Sequence, residues 1–175
     1  DKLDFRSSYA VLGDGRRYEL ESAYFPTIDE SMADPYLLTS KEQEIIDDLK
    51  SYFVESTVLQ RHVDYLYQRG SLYTRYNGNL LFHGCVLLAE DGSLRTVNYA
   101  GRSYRGRQWF DFCDRMAREA WLHGGREALD FMYFLWCGRI SPVSGREFKT
   151  FERALIPDES TWKEPSDPYY TYINE

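Results

Sequence analysis

The sequence contains no long hydrophobic run. Its most apolar stretch, residues 129–137, spans nine positions and includes Asp130, whereas a membrane-spanning helix needs about 18 apolar residues or more. Residues 1–6 carry neither the basic patch nor the apolar segment of a signal peptide. The sequence therefore predicts no membrane span, and nothing in it indicates export.

Cysteine is scarce. The three cysteines, Cys85, Cys113 and Cys137, are widely spaced and form no Cys-x-x-Cys pair. An odd number at such spacings argues against a disulfide framework and against a cysteine zinc site. We therefore predict a cytoplasmic location, where cysteines stay reduced.

The familiar catalytic motifs are missing. The sequence has no HExxH or GDxxD metal motif, no Gly-x-Ser-x-Gly elbow, no Walker loop and no convincing Cys/His dyad. Gly13 and Gly15 form no phosphate loop, because the third glycine and the following helix of a dinucleotide fingerprint are missing. The catalytic residues are therefore unknown from these patterns.

Basic residues are outnumbered, 21 against 28, which gives a net charge of −7. This balance argues against nucleic-acid binding, because phosphate backbones require a positive face. The deficit is uneven: residues 95–153 contain 11 basic and 7 acidic residues, a balance of +4, and ten of these cations are arginines. Arginine suits phosphate oxygens, although solvated helix faces with paired charges are the more common interpretation.

Hydrophobic spacing predicts an α+β fold, with strands within 71–99 covered by helices. A capping box of Thr39 with Glu42, or of Ser40 with Gln43, begins the first helix, which is one long helix or two. The helices are expected near 40–69, 106–123 and 126–137.

Two stretches predict deep burial. Leu80-Leu81-Phe82 does not alternate, which is typical of a strand buried on both faces. Residues 126–136 are so apolar that an almost wholly buried helix is expected. Residues 101–106 are expected to lead into the helix that follows them.

The ends of the chain show less periodicity. Segment 1–38 predicts an irregular lead-in with a hairpin, in which residues 9–11 and 18–20 flank a Gly-Asp-Gly turn. Residues 157–175 predict an extended polar tail. We expect residues 1–175 to form a single portion of a longer catalytic domain.

His83 is the most specific candidate for a metal ligand in the sequence. It follows a predicted strand and precedes Gly84, an arrangement that presents an imidazole nitrogen to a metal while glycine lets a ligand approach the backbone. From spacing alone, an ordinary structural histidine is the more common outcome, because one histidine makes no metal site.

A second feature is the loop after the apolar helix. It contains Arg139, Ser141, Arg146 and Lys149. Arginine forks together with backbone amides at a helix N-terminus bind phosphate, so the loop is a candidate phosphate cradle. An ordinary polar loop is the alternative, and Arg139 could instead cap the carbonyls of the preceding helix.

Long blocks of this sequence resemble the class 3 fructose-1,6-bisphosphatases, a bacterial family built on a calcineurin-like metallophosphoesterase core. The blocks run through nearly the whole chain in the family's order, which makes the resemblance specific. They are 24–28 (YFPTI), 34–39 (DPYLLT), 66–73 (LYQRGSLY), 76–85 (YNGNLLFHGC), 129–138 (LDFMYFLWCG), 141–142 (SP), 149–153 (KTFER) and 167–170 (DPYY).

The resemblance implies hydrolysis of the 1-phosphate of fructose 1,6-bisphosphate in gluconeogenesis. It implies a dinuclear Mn²⁺ site with His83 as one ligand, and a sugar bisphosphate substrate bound by Arg139, Ser141, Arg146 and Lys149. Most metal motifs of the family, namely Asp-x-His, Gly-Asp-x-x-Asp, Gly-Asn-His and Gly-His-Thr-Pro, do not occur in these 175 residues. The chain is therefore expected to be an internal part of the enzyme and inactive alone.

The loop after the apolar helix departs from the family pattern. Where the family usually has Ser-Pro-Leu-Phe-Gly-Lys, this chain has Ser141-Pro142-Val143-Ser144-Gly145-Arg146, which keeps the cation and exchanges an aromatic ring for a hydroxyl. The alternative to catalysis is a scaffolding module that packs against the rest of the enzyme or against another subunit of a homo-oligomer.

Overall fold

The computed structural model describes residues 2–4, 8–21, 34 and 36–174. It confirms the predicted mixture of helices and strands, and the strands form small antiparallel sheets. The strands are β1 (Lys2–Asp4), β2 (Tyr9–Val11), β3 (Arg17–Glu19), β4 (Tyr73–Tyr76), β5 (Asn79–Phe82), β6 (Thr96–Tyr99) and β7 (Arg102–Arg105). The helices are α1 (Ser40–Glu55), α2 (Thr57–Arg69), α3 (Arg107–His123), α4 (Arg126–Cys137), α5 (Thr150–Leu155) and α6 (Tyr169–Tyr172), with a 3₁₀ turn at Glu159–Trp162.

The chain forms two compact units. The first contains residues 1–61 and 149–163, and the second contains residues 62–148 and 164–175. No helix among the described residues is long and apolar enough to cross a membrane.

In the first unit, β1, β2 and β3 form an antiparallel meander. The predicted hairpin is confirmed, and Asp14 stabilises its turn by accepting hydrogen bonds from the Arg16 amide at 2.9 Å and the Tyr18 hydroxyl at 2.6 Å. A small core of Ala10, Leu20 and Ile156 lies beneath the meander. The part of the expected irregular lead-in at 22–33 lies outside the described residues.

Helix α1 begins at the predicted capping box, with Thr39 and Glu42 as the reciprocal pair. The helical stretch is two helices, because Ser56 leaves helical geometry and its hydroxyl accepts the Leu59 amide at 3.3 Å, which begins α2. No residue of α1 is buried.

In the second unit, α3 and α4 pack together over an aromatic core that includes Trp109, Phe112 and Phe131. Helix α4 has the predicted bounds, but the prediction of near-complete burial is wrong. Only one stripe, Ala128, Phe131 and Leu135, is buried. Leu129, Tyr133 and Trp136 on the opposite side face solvent, as expected for an amphipathic helix; Trp136 is 68% exposed.

The strands expected within 71–99 do not form one sheet among the described residues. Hairpin β4–β5 and hairpin β6–β7 are separate two-stranded sheets. Strand β7 was not expected, and it forms because Ala100 and Gly101 both adopt the positive φ of a tight hairpin turn. Leu80 and Leu81 of β5 are 47% and 52% exposed, so the prediction of burial on both faces is wrong.

Residues 157–175, expected as an extended tail, contain the 3₁₀ turn and α6. Residues 164–172 run beside the loop that follows α4, where the Glu147 amide donates to the Pro165 carbonyl and the Asp167 amide to the Gly145 carbonyl, both at 2.8 Å. These backbone contacts hold the segment in place within the second unit, and they produce no periodic pattern in the sequence.

Candidate functional site

His83 lies directly after β5, with its side chain exposed. Its Nδ1 atom is 3.1 Å from the carbonyl oxygen of Val143. A carbonyl oxygen only accepts hydrogen bonds, so Nδ1 carries a proton in this contact, and in the neutral imidazole Nε2 is the nitrogen with the free lone pair. The loop after α4 thereby fixes the tautomer and orients the ring, as backbone carbonyls do for metal-binding histidines.

Gly84 brings the His83 segment against the loop after α4. A Cβ atom at Gly84 would collide with the carbonyl oxygens of Pro142 and Val143. The next amide, that of Cys85, donates to the Pro142 carbonyl at 3.0 Å. Only glycine permits this approach, and the approach places Val143 beside the imidazole.

Ser141, expected to bind phosphate, is 0% exposed. Its hydroxyl donates to the Leu135 carbonyl at 2.6 Å and accepts the Val143 amide at 3.0 Å. Ser144 donates to the Gly138 carbonyl at 2.6 Å. The two hydroxyls therefore satisfy carbonyls at the end of α4, and the geometry gives Ser141 a structural role.

The two arginines of the loop have different surroundings. The Arg146 guanidinium lies 4.2 Å from the centroid of the Tyr170 ring, a cation–π contact, and the Tyr170 hydroxyl donates to the Ser144 carbonyl at 2.9 Å. Arg139 is exposed, and within the described part of the chain its side chain makes no ion pair and caps no carbonyl of α4. Arg146 is thus held in place and Arg139 extends into solvent.

Lys149 belongs to the first unit, where its ammonium lies 2.9 Å from a Glu152 carboxylate oxygen and is largely buried. This ion pair neutralises most of the charge on which a phosphate contact would depend.

Asp167 is a residue that sequence reasoning missed. Its side chain is 1% exposed, and Oδ1 accepts the Leu88 amide at 2.9 Å and the Tyr169 amide at 3.1 Å. Its Oδ2 lies 3.8 Å from the Arg95 guanidinium. Asp167 therefore anchors the 164–172 segment, whose Tyr170 supports Arg146.

The cysteines near the site are not activated. Burial raises the pKa of the Cys85 thiol to about 12 and also raises the pKa of Cys113. A buried thiol with such a pKa is protonated at neutral pH and is a poor nucleophile.

The described residues alone do not fit a manganese site. Among them no group of three His, Cys, Asp or Glu side chains could hold a metal ion, and the Nε2 atom of His83 is a single ligand. One imidazole binds a hard divalent cation weakly in competition with water.

A cavity of about 640 Å³ lies beside His83. It is lined by the end of α2, by β4 and by Pro142 and Val143, and Arg69 and Thr74 contribute polar side chains to it. Arg139, Arg146 and Lys149 do not line this cavity. The cation that lines the His83 cavity is therefore Arg69, which the sequence placed at the end of the helix expected near 40–69 and in the block 66–73.

Comparison with known protein families identifies the family of this chain. The sequence profile of the Firmicute fructose-1,6-bisphosphatases matches residues 1–175. The chain therefore belongs to this family.

Curated relatives agree with the profile. The chain is 44% identical over 178 residues to a class 3 fructose-1,6-bisphosphatase of Clostridium tetani (strain Massachusetts / E88), covering 98% of this chain and 26% of that protein. It is 39% identical over 181 residues to the enzyme of the same name from Clostridium botulinum (strain Langeland), covering 100% of this chain and 27% of the relative. The chain thus spans about a quarter of the length of these relatives. No solved structure matches significantly.

Proposed function

We propose that the full-length protein hydrolyses the 1-phosphate of fructose 1,6-bisphosphate to give fructose 6-phosphate and phosphate in gluconeogenesis, and that this chain is part of its catalytic domain. The observation that carries the proposal is the family match over residues 1–175. Because the chain spans about a quarter of its relatives, the proposed activity is that of the whole protein, and the chain alone is expected to be inactive.

We propose that Mn²⁺ binds in the full-length protein with His83 Nε2 as one ligand. The hydrogen bond between His83 Nδ1 and the Val143 carbonyl supports this role, because it occupies Nδ1 and makes Nε2 the ligand atom of the neutral imidazole. The remaining ligands are proposed to lie outside the described residues, since these contain no suitable cluster.

For the substrate phosphates we propose Arg146 before Arg139 and Lys149. Arg146 is held over Tyr170, whereas Lys149 is paired with Glu152. Ser141 is proposed to shape the loop rather than to touch substrate, because its hydroxyl is buried and doubly hydrogen-bonded.

We propose that the two hairpins of the second unit belong to a larger calcineurin-like metallophosphoesterase sandwich. Isolated two-stranded hairpins are marginally stable, and the exposed Leu80 and Leu81 of β5 suit a strand that further elements cover. A cytoplasmic location is proposed from the metabolic role and from three free cysteines, Cys85, Cys113 and Cys137.

A scaffolding role is the second candidate, and exposed apolar side chains favour it. Helix α4 exposes Leu129 at 52% and Trp136 at 68%. We propose that the remainder of the full-length enzyme covers this face. Leu129→Lys with Trp136→Lys should then lower the melting temperature of the full-length protein and leave that of the 175-residue chain nearly unchanged. Equal effects in both would refute this packing, and a concentration-dependent melting temperature of the chain would indicate a second copy instead.

The catalytic proposal is tested by phosphate release from fructose 1,6-bisphosphate in the full-length protein with manganese. His83→Ala should lower the rate by roughly tenfold or more and reduce metal stoichiometry. The control is His123→Ala, at an exposed position on α3 where the imidazole lies 3.1 Å from a Glu119 carboxylate oxygen. No phosphate release by the unaltered protein would refute the activity, and unchanged rate and stoichiometry in His83→Ala would refute the metal role.

A further inference from the structure

The cavity beside His83 has an unusual charge for this protein. The chain carries a net charge of −7, yet among the described residues no carboxylate lines the cavity, and Arg69 supplies its permanent charge. At about 640 Å³ it is within the range of small-molecule sites, which run from about 300 to 1,000 Å³. This acidic chain thus has a positively charged cavity of ligand size beside His83, its candidate metal ligand.

Arg69 differs from the ion-paired arginines of helices α3 and α4. Arg107, Arg118 and Arg126 each pair with an aspartate one helical turn away. Arg69 is exposed at the last position of α2, and within the described part of the chain its side chain has no ion pair and no hydrogen bond. Its planar fork of N–H donors therefore stays available to an anion.

Some polar side chains that line the cavity already make hydrogen bonds within the protein, and others are free to bind a ligand. The Tyr73 hydroxyl donates to Asp111 at 2.7 Å, and the Ser71 hydroxyl donates to the Tyr73 carbonyl. The Thr74 hydroxyl has no partner among the described residues. The Nε2 atom of His83 is likewise uncommitted, because Nδ1 makes the contact with Val143.

We infer that this cavity binds a phosphate group, with Arg69 as its principal ligand and Thr74 as a second donor. The identity of the phosphate as one end of a sugar bisphosphate rests on the proposed function. The anion site itself rests on Arg69, on Thr74 and on the missing carboxylates. Arg69 also lies at a helix C-terminus, where a cation interacts favourably with the helix dipole, so the test must separate binding from stability.

The test titrates the 175-residue chain with inorganic phosphate at low ionic strength and follows the His83 imidazole resonances by NMR. His83 is one of three histidines, so its signals are assignable with a His83→Gln variant. Arg69→Gln should weaken phosphate binding by about tenfold or more, and Arg69→Lys should have an intermediate effect because it keeps the charge and loses the fork. The matched control is Arg75→Gln, on exposed strand β4 and outside the cavity lining.

The outcomes separate this inference from the proposed function. Weaker binding in Arg69→Gln, with Arg75→Gln and the melting temperature unchanged, supports the site. Unchanged binding in Arg69→Gln, or no response of His83 to phosphate in the unaltered chain, overturns it. If phosphate binding depends on Arg69 while the full-length protein releases no phosphate from fructose 1,6-bisphosphate, the anion site stands and the proposed function fails.

Discussion

Ser141→Ala distinguishes a structural serine from a phosphate ligand. The hydroxyl is 0% exposed and joins the end of α4 to the loop that contacts His83. It donates to the Leu135 carbonyl at 2.6 Å and accepts the Val143 amide at 3.0 Å. Alanine removes both of these hydrogen bonds, together with the longer one from the Ser144 amide at 3.5 Å.

The expected cost follows from these two partners. The Leu135 carbonyl lies in the last turn of α4, where no amide four residues further along is available in helical geometry. Leaving a buried polar group without a partner costs about 1–3 kcal/mol. Val143 is only half-buried, so solvent partly replaces the second bond. We expect Ser141→Ala to lower the free energy of unfolding by about 2 kcal/mol.

Urea unfolding of the chain measures this difference. The control is Ser103→Ala, because the Ser103 hydroxyl donates to Asn98 Oδ1 at the same 2.6 Å but at an exposed position. That change should cost less than about 0.5 kcal/mol. If Ser141→Ala is as mild as the control, or if it raises KM for fructose 1,6-bisphosphate in the full-length protein without lowering stability, the structural interpretation is wrong.

Three further predictions concern the surroundings of the site. Gly84→Ala should lower the melting temperature and disturb the His83 resonances, because the new Cβ would collide with two carbonyl oxygens. Gly125→Ala should do neither, because nothing lies within 4 Å of the new Cβ there. Equal melting temperatures of the two variants would contradict the close approach of Gly84 to the loop after α4. Asp167→Ala should cost about 1–3 kcal/mol in urea unfolding, because it removes the acceptor of two amides, and exposed Asp91→Ala should cost little; similar values for both would contradict the anchor. A thiol reagent at about pH 8 should label Cys137 before Cys85 and Cys113, and rapid labelling of all three cysteines would contradict the burial of Cys85 and Cys113. Burial raises the pKa of Cys85 from 9.0 to about 12, so the folded state holds the thiol proton more tightly, and the free energy of unfolding should fall as pH rises through this interval.

Helix bounds were predictable because their signals are local. The capping box of Thr39 and Glu42 lies within one turn, and Gly124 ends α3 in the left-handed conformation that glycine favours. The 3.6-residue period of apolar side chains predicted α3 and α4. Each signal needs only neighbours a few residues away, so the sequence contains it directly.

Strand pairing and burial were not predictable in this way. An apolar run such as 80–82 is compatible with a strand buried on both faces, but burial depends on which elements cover it, and that is a long-range property. Strand β7 was missed because its residues, Arg102–Arg105, are mostly polar and its only signal is the turn at Ala100 and Gly101.

The candidate site shows the same division. His83 could be selected from its place after a strand and before Gly84. Neither the Val143 carbonyl, 60 residues away along the chain, nor the role of Asp167 has a local pattern. The place of Arg69 beside the cavity has no local sequence signal either, because the end of α2 meets β4 and the Pro142-Val143 turn only in the folded chain.

The most direct test of the central claim, that the cavity beside His83 is part of the active site, is a crystal structure of the full-length protein with fructose 6-phosphate and inorganic phosphate. We expect a phosphate group within hydrogen-bonding distance of the Arg69 guanidinium and the Thr74 hydroxyl, on the Nε2 side of His83. Sugar phosphate and phosphate bound elsewhere, with the cavity filled by protein or solvent alone, would contradict the account.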